Sequence, residues 1–282
     1  MARRELMPGQ KRTTAGGVTA EVVTVAWFMF SLFPIVWVIL LSLKTTAEQK
    51  NTYFAFSPTL DNFSFVLKSG TLRVGLTESL LTSAGAVLVS LLIGIPAAYA
   101  AGRWRYRGSE DLMFTLLSFR FAPELMVLVP LFVIYKQLGL LDSRFGLIWV
   151  LQLVTMPLVV WILRSYFEDL PVELEQAALL DGYSRTQAFL KVALPLVRPG
   201  IAASTLLAFI FAWNSYVFPL ILANNNLKTV TVVINTFQGG GGQIYYNHAA
   251  AACLIGVLPP LVLALSIQRY LVRGLSFGAV KG

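Results

Sequence analysis

The stretch that decides the fold reads PVELEQAALLDGYSRTQAFLKVALP over residues 171–195, between two long apolar runs. Pro171 suits the first turn of a helix, and Glu173 and Glu175 lie near the positive end of that helix's dipole. Gly182 can take the left-handed conformation that commonly ends a helix. The first half of the stretch therefore predicts a short helix that stops in a sharp turn at Gly182.

The second half of the stretch predicts another helix. Ser184 and Gln187 have the spacing of a capping box, and Pro195 is expected to end the helix. Apolar side chains are more frequent here than a loop without a partner would carry. They are Ala177, Ala178, Leu179 and Phe189. We therefore expect another protein to dock on this helix–turn–helix.

Outside this stretch, the chain is dominated by apolar runs of membrane-spanning length. It has 282 residues, a mean hydropathy of +0.70, 56% hydrophobic residues and 13% charged residues. Soluble proteins carry about 25% charged residues, so a soluble enzyme is excluded. Runs that can cross a bilayer as a helix of roughly 20 residues occur six times. They are residues 22–43, 79–101, 112–135, 145–163, 201–223 and 249–271. The predicted fold class is an all-α polytopic membrane protein with six transmembrane helices.

Six spans put both termini on one side of the membrane, and the basic residues indicate which side. Fourteen Lys and Arg residues fall on the side of the termini and seven on the opposite side, while Arg120 lies within a span. Because basic residues collect on the cytoplasmic side, both termini are predicted to be cytoplasmic. The chain is then a cytoplasmic N-terminal segment, residues 1–21, and one membrane domain, residues 22–282. Its long cytoplasmic loop is residues 164–200.

The composition argues against several kinds of chemistry. The chain has a net charge of +8. In a membrane protein such an excess of basic residues more often reflects its orientation relative to the lipid headgroups than binding of nucleic acid. A single cysteine, Cys253, permits no disulfide within the chain, and a single histidine, His248, leaves no His/Cys metal cluster. The sequence has no Gly-x-x-x-x-Gly-Lys-Ser/Thr loop for ATP phosphates. We expect membrane lipid around the chain, no nucleic-acid partner, and no metal or cofactor in it.

Between residues 176 and 195 the chain resembles the permease subunits of ABC importers, which have the MetI-like fold. Their signature is Glu-Ala-Ala, three residues, Gly, nine residues and Ile-x-Leu-Pro. Gly182 and the run 192–195 match at the right spacing, whereas Gln176 replaces the glutamate and Glu175 lies one position earlier. The resemblance implies a set of residues that couple the chain to an ATPase. They are Glu173, Glu175, Gln176, Ala177, Ala178, Asp181, Gly182 and Pro195.

Three further stretches are similar to the second permease of the carbohydrate-importing group, which includes the maltose and glycerol-phosphate permeases. They are Trp213-Asn214, residues 139–142 (GLLD) and residues 274–282 (GLSFGAVKG). The resemblance implies a second permease, an ATPase dimer that binds ATP and Mg, and an extracytoplasmic solute-binding protein. It also implies a carbohydrate, polyol or sugar derivative as the solute and the cytoplasmic membrane of a bacterium or archaeon as the location. This subunit is then the pathway and not the ATP-hydrolysing enzyme.

Arg120 and Glu124 are charged residues within one predicted span, four positions apart. That spacing can place them on one helical face, and charges inside a membrane usually face the bundle interior or an aqueous cavity. Pro123, between them, predicts a kink. The pair is either a structural ion pair or part of the substrate pathway.

The fifth predicted span carries Trp213, Asn214 and Tyr216, which offer aromatic surface and an amide to sugar hydroxyls. Aromatic residues also gather at membrane interfaces, so solute contact is one of two interpretations. At helical spacing Trp213 and Tyr216 share a face, and Asn214 points about 100° away.

The glycine run in the loop before the last span comprises Gly239, Gly240, Gly241 and Gly242. It is either a flexible turn or a segment that approaches the cleft of the solute-binding protein, since glycine permits close backbone approach.

A self-contained secondary transporter or channel is the alternative function. It needs a complete solute site and coupling ions in one chain, and six spans with few intramembrane acids argue against it. A membrane enzyme would need clustered His, Asp or Glu near one membrane face, and only Arg120 with Glu124 comes close.

Overall fold

The computed structural model describes residues 15–104, 107–121, 124–223, 225–237, 239 and 245–278, which are helical throughout most of their length and form no β-strand. The α-helices are α1 (Ala15–Leu43), α2 (Asp61–Lys68), α3 (Thr71–Arg103), α4 (Ser109–Phe121), α5 (Glu124–Gln137), α6 (Arg144–Val150), α7 (Gln152–Glu168), α8 (Val172–Leu180), α9 (Arg185–Ala188), α10 (Leu194–Leu196), α11 (Arg198–Asn214), α12 (Val217–Leu222), α13 (Val230–Thr236) and α14 (Tyr246–Gly278). A π-helical segment, Phe189–Ala193, joins α9 to α10.

Three of these helices contain an unbroken stretch long and apolar enough to cross a membrane, and three bent helix pairs qualify together. The unbroken stretches are Thr19–Leu43, Thr71–Arg103 and Tyr246–Gln268. The bent pairs are Ser109–Arg120 with Glu124–Gln137 at 92°, Arg144–Val150 with Gln152–Glu168 at 46°, and Arg185–Leu196 with Arg198–Asn214 at 69°. Length and composition therefore give six crossings when each bent pair counts as one, in agreement with the predicted all-α fold.

The ends of the spans differ from the predicted ends. The second span begins earlier, at Thr71, and the fifth ends at Asn214, not at residue 223. Ser215 is extended, with φ −60° and ψ 129°, and the apolar residues after it form the separate helix α12. Average hydropathy does not reveal such breaks, because an apolar run keeps its composition when the backbone changes direction.

Helix α3 is central to the bundle and packs against α6, α7, α11 and α13. Small residues let its neighbours approach closely: a Cβ built at Gly94 would lie 2.8 Å from a methyl group of Val159 on α7. Val159 and Leu163 are fully buried in the core that α3, α7 and α11 share. The position of α3 gives it contact with both ends of the molecule.

A buried polar cluster accompanies the bend between α6 and α7. The Gln152 amide nitrogen donates to the carbonyls of Ile148 (2.9 Å) and Ala86 (3.0 Å), and its oxygen accepts from the Ser90 hydroxyl at 2.6 Å. Thr155 lies 2.6 Å from the same hydroxyl. A helix break inside a membrane has to satisfy its freed backbone groups internally, and Gln152 does so while joining α7 to α3.

The connection after α1 is held by a buried lysine. Lys44 is 1% exposed, and its ammonium group donates to the carbonyls of Asn51 (2.6 Å) and Tyr53 (2.9 Å). The same nitrogen lies 4.8 Å from the ring centroid of Trp37 and 5.4 Å from that of Phe56. Two carbonyls and two aromatic faces therefore compensate the charge. By contrast, α1 itself leaves most of its large apolar side chains exposed, as a helix facing lipid or a partner chain does.

Candidate functional site

The predicted turn at Gly182 is present and has the hydrogen bonds of a Schellman motif. Gly182 has φ +89°, and the backbone N–H groups of Gly182 and Tyr183 donate to the carbonyls of Leu179 (3.1 Å) and Ala178 (3.0 Å). Helix α8 begins after Pro171, which is its N-cap and not part of its first turn. A Cβ at Gly182 would meet no atom within 4 Å, so the backbone angle alone requires glycine here.

The capping box of the second helix is confirmed, but the predicted end of that helix is wrong. The backbone N–H of Gln187 donates to the Ser184 hydroxyl at 3.2 Å, and the Ser184 N–H donates to the Gln187 amide oxygen at 2.9 Å. The chain instead remains helical through the π-helical segment and α10, and this helical stretch ends one residue after Pro195, at Leu196. Pro195 lies in the first turn of α10, where a missing N–H costs little.

Helix α8 has an inner face that meets the bundle and an outer face that is exposed. Ala178, 5% exposed, and Glu175 lie on the inner face. The outer residues recur at the spacing of one helical face, and together with Asp181 we call them the docking face. They are Glu173, Gln176, Ala177, Leu180 and Asp181. The structure thus separates the predicted coupling residues into two groups.

Glu175 is engaged within the chain. Its carboxylate accepts hydrogen bonds from Arg103 Nε at 2.8 Å and from the Tyr99 hydroxyl, and Arg103 Nη2 lies 2.7 Å from the same carboxylate. The side chains of Arg103 and Glu175 are 8% and 13% exposed. In this conformation Glu175 does not present its charge to a partner, so it does not replace the missing glutamate at Gln176, which is exposed.

Sequence reasoning missed the most exposed apolar residue of the docking face. Leu180 is 90% exposed at the end of α8. The available signal was its position, since Leu180 follows Ala177 and Glu173 at intervals of three and four residues, which place all three on one face. An apolar side chain presented in this way is suited to insertion into a pocket on a partner.

Arg120 and Glu124 are brought to one cavity but not onto one helical face. The cavity has a volume of about 190 Å³, and Phe211 and Phe218 also line it. Arg120 Nη1 donates to the Val154 carbonyl at 3.3 Å, and the guanidinium carbon lies 4.0 Å from the ring centroid of Phe211. The predicted shared face is wrong because Arg120 lies on α4 and Glu124 on α5, two helices inclined at 92° to each other. Residues 122–123, which include Pro123, lie outside the described part of the chain.

The three residues predicted on the fifth span have different surroundings. Trp213 is 3% exposed, and its indole N–H donates to the Gly256 carbonyl of α14 at 3.1 Å. Asn214 is exposed and donates to the Ile210 carbonyl one turn earlier at 2.9 Å. Tyr216 lies beyond the end of α11, and its hydroxyl accepts from Asn235 at 2.7 Å. Helical spacing therefore does not relate Trp213 to Tyr216, and only Asn214 and Tyr216 have accessible side chains.

Of the predicted contact with a solute-binding protein, the structure describes only Gly239, whose φ of +94° is left-handed. Gly240, Gly241 and Gly242 lie outside the described residues. The helix before this run, α13, is held against α3, because the N–H of Val230 donates to the Ser79 hydroxyl at 2.7 Å. The glycine run thus follows an element that is fixed to the central helix.

No cluster of metal-ligating side chains appears where the structure is described. In those ranges no group of three or more His, Cys, Asp or Glu residues could hold a metal ion. The arrangement presents a docking face at one end of a membrane bundle and a small cavity with two charged residues inside it.

A family model described as "Binding-protein-dependent transport system inner membrane component" matches residues 90–277. This range includes the cavity and the helix–turn–helix of residues 171–195, which we call the docking element. The chain belongs to this family. It is an inner-membrane transport component with several apolar helices, and it has the ABC-permease fold. Its resemblance to ABC importer permeases, first recognised in residues 176–195, is thereby confirmed.

Curated relatives of this family member are sugar transport permeases. It is 33% identical over 255 residues to the sulfoquinovosyl glycerol transport system permease protein SmoH of Agrobacterium fabrum, covering 89% of each chain. It is 33% identical over 255 residues to the trehalose/maltose transport system permease protein MalG of Thermococcus litoralis, covering 89% of this chain and 92% of the relative. The trehalose transport system permease protein SugB of Mycobacterium tuberculosis is 33% identical, with 90% and 93% covered.

A solved structure has the same fold as this family member. It is a chain of a bacterial ABC transporter involved in the import of the acidic polysaccharide alginate, with a TM-score of 0.77 and 22% sequence identity. The match covers 94% of this chain and 99% of the other. Similarity along nearly the full length shows that the two chains share their overall fold.

Proposed function

We propose that this chain is one of two permease subunits in an ATP-driven, binding-protein-dependent importer, and that with the second permease it forms the path for a carbohydrate or a sugar derivative. The observation that carries the proposal is the family match across both the transmembrane core and the exposed helix–turn–helix. The names of the relatives, which transport sulfoquinovosyl glycerol, trehalose and maltose, support a carbohydrate-type solute.

The ATPase dimer is proposed to bind the docking face on α8. Leu180 and Ala177 offer it apolar contact, and Glu173 and Asp181 offer charge. ATP and Mg belong to that partner, and hydrolysis is not a reaction of this chain. Such an arrangement explains why an isolated permease presents a 90% exposed leucine outside its apolar spans.

The orientation that follows places the docking face and both termini in the cytoplasm. It rests on the twofold excess of Lys and Arg in the segments on that side. The membrane is the cytoplasmic membrane of a bacterium or archaeon. The connection that contains Gly239 then faces outward, where we propose that the run 239–242 meets the solute-binding protein.

The solute path is proposed to pass the cavity beside Arg120 and Glu124. This cavity combines two charged side chains with aromatic surface from Phe211 and Phe218, a combination that suits hydroxyl groups and the apolar face of a sugar ring. Asn214 lies one turn from Phe211 on α11 and has an exposed amide. Trp213 is given a supporting role, because its indole group is buried and bonded to α14.

Purification and reconstitution test the proposed function. The tagged chain, extracted from its native membrane, is expected to bring a second permease and an ATPase with it. Proteoliposomes of that complex should hydrolyse ATP faster when an external binding protein loaded with trehalose, maltose or another sugar is added. A chain that purifies alone and carries solute across liposomes without ATP would instead be a self-contained transporter or channel.

A further inference from the structure

The long helix α3 ends at the docking element and is bonded to it there by two side chains, Arg103 and Tyr99. We propose that Arg103 is a positioning residue: it fixes α8 to α3, so that displacement of α8 by the ATPase moves α3 and, through α3, the elements at the opposite end of the bundle. The inference rests on the proposed function and adds to it the connection by which coupling enters the membrane domain.

Arg103 holds the docking element at two points. Its Nε donates to Glu175 on α8 at 2.8 Å, and its Nη1 donates at 2.7 Å to the carbonyl of Leu170, in the short connection before α8. One guanidinium group therefore binds both the start and the middle of the element. A planar group with several donors in fixed directions restrains orientation as well as distance, and a lysine ammonium group does not reproduce that geometry.

Tyr99, one helical turn before Arg103, completes the connection. Its hydroxyl donates to the second carboxylate oxygen of Glu175. Its ring lies against Phe167 of α7 and Phe189 of the π-helical segment, with centroid distances of 5.3 and 4.5 Å. The Glu175 carboxylate is thus held by two side chains of α3, which are themselves packed against the elements on both sides of α8.

The burial of this ion pair distinguishes it from the ion pairs that Arg164 forms at the same end of the molecule. Arg103 and Glu175 are 8% and 13% exposed, whereas Arg164 on α7 pairs with Glu110, which is 79% exposed. A buried pair that loses one partner leaves an uncompensated charge, and an exposed pair contributes little. Arg164 also bonds only α4 and its own helix, not α8. It therefore provides a matched control.

The other end of α3 is bonded to elements across the membrane. Ser79, at about 36 Å of helix from Arg103, accepts a hydrogen bond from the Val230 N–H at the start of α13. Glu78 accepts two from Arg144 of α6, both at 2.6 Å. One helix is therefore anchored to the docking element at one end and to α6 and α13 at the other. A displacement of α3 therefore changes its contacts with the docking element and its contacts with α6 and α13 at the same time.

The test compares variants in the reconstituted complex. Arg103→Lys, Glu175→Gln and Tyr99→Phe weaken the connection in three ways, and Arg164→Lys is the control. We expect the first two to lower the maximal solute-stimulated ATPase rate by about fivefold or more, which is the usual range of coupling between sites. The concentration of loaded binding protein that gives half the maximal rate should stay within about twofold of the parent. Arg164→Lys should behave like the parent.

A reporter at the far end separates transmission from a purely structural role. A cysteine at Thr236, exposed on α13, is placed in a Cys253→Ala background and modified with a charged thiol reagent. In the parent complex, ATP should change the modification rate, and in Arg103→Lys that change should be lost. A structural defect would instead lower the yield of assembled complex and the midpoint of thermal unfolding.

The possible results distinguish a failure of the role of Arg103 from a failure of the proposed function. Parental stimulation and a parental ATP response in both Arg103→Lys and Glu175→Gln would overturn the inference. If those variants do not assemble, Tyr99→Phe decides it, since removal of one hydroxyl leaves the ion pair intact and should lower the ATP response at Thr236 by about half. A parent complex that no loaded binding protein stimulates would contradict the proposed function itself, and not only the role of Arg103.

Discussion

The carboxylate of Asp142 accepts a hydrogen bond from the backbone N–H of Asn226 at 2.8 Å, across 84 positions of sequence. It also accepts from the N–H groups of Asn225 (3.3 Å) and Leu227 (3.1 Å), and the Asp142 N–H donates to the Leu222 carbonyl at 2.7 Å. The connection between α5 and α6 is thus joined to the connection between α12 and α13. This contact gives a structural role to the aspartate of the GLLD stretch.

Replacement of Asp142 by asparagine should loosen this junction. Asparagine tolerates the left-handed backbone of this position, where φ is +57°, but it loses the charge and one acceptor oxygen. Hydrogen bonds to a charged group contribute about 1.5–3 kcal/mol, so we expect a loss of about 2 kcal/mol and a lower midpoint of thermal unfolding in detergent. Asp169→Asn, at an exposed carboxylate, is the control. Equal midpoints for the two variants would contradict this role for Asp142.

Substitutions at Gly182 should follow the cost of a left-handed backbone. Because φ is +89° and a Cβ at this position would have no atom within 4 Å, Gly182→Asn should be tolerated best, Gly182→Ala should cost about 1 kcal/mol and Gly182→Val more. Solute-stimulated ATP hydrolysis should fall in the same order. If asparagine is as harmful as valine, the ATPase packs directly on this position. Gly182→Trp should prevent coupling in either case, with the membrane bundle still folded.

Leu180 should contribute strongly to ATPase binding. A leucine that is 90% exposed in the isolated chain and buried in the complex loses apolar contact when it is shortened, which costs about 1.5–3 kcal/mol. We expect Leu180→Ala to weaken the binding of the ATPase by roughly tenfold or more, as measured with the chain in nanodiscs. Leu180→Met keeps the apolar volume and is the matched control. Unchanged affinity for the alanine variant would place the docking contact elsewhere.

Two neighbouring residues of α11 should differ in access to water. Asn214 is exposed and Trp213 is 3% exposed, so in a Cys253→Ala background a charged thiol reagent should modify Asn214→Cys and leave Trp213→Cys unmodified in the resting complex. Nucleotide should change the rate at Asn214→Cys if this residue lines the path. Equal modification rates at both positions, or no response to nucleotide, would show that the C-terminal end of α11 does not line the proposed path.

The glycine run 239–242 should be sensitive to side chains if it enters the cleft of the solute-binding protein. Replacement by Ser-Asn-Ser-Ser adds four side chains to a segment that, as a simple connector, would accept polar residues at little cost. We expect transport at saturating binding protein to be lost, while assembly and unstimulated ATP hydrolysis are retained. Parental transport by this variant would leave a flexible turn as the explanation.

Local chemistry explains what the sequence predicted well in the docking element. The left-handed turn at Gly182 and the capping box between Ser184 and Gln187 depend on residues a few positions apart, so their pattern is complete in the sequence. The end of the second helix was wrong for a related reason: Pro195 is compatible with either the end or the first turn of a helix, and the surrounding backbone decides which.

The sequence by itself determined the membrane class, the six apolar runs, the helix–turn–helix and the family, because composition, hydropathy and short-range spacing are properties of contiguous residues. The tertiary structure alone decided that Glu175 turns inward to Arg103, that Trp213 is buried against Gly256, and that Asp142 binds residues 225–227. These partners are 43 to 85 positions apart. Which of several compatible partners a side chain meets at that separation depends on how the helices pack, and no local pattern encodes it.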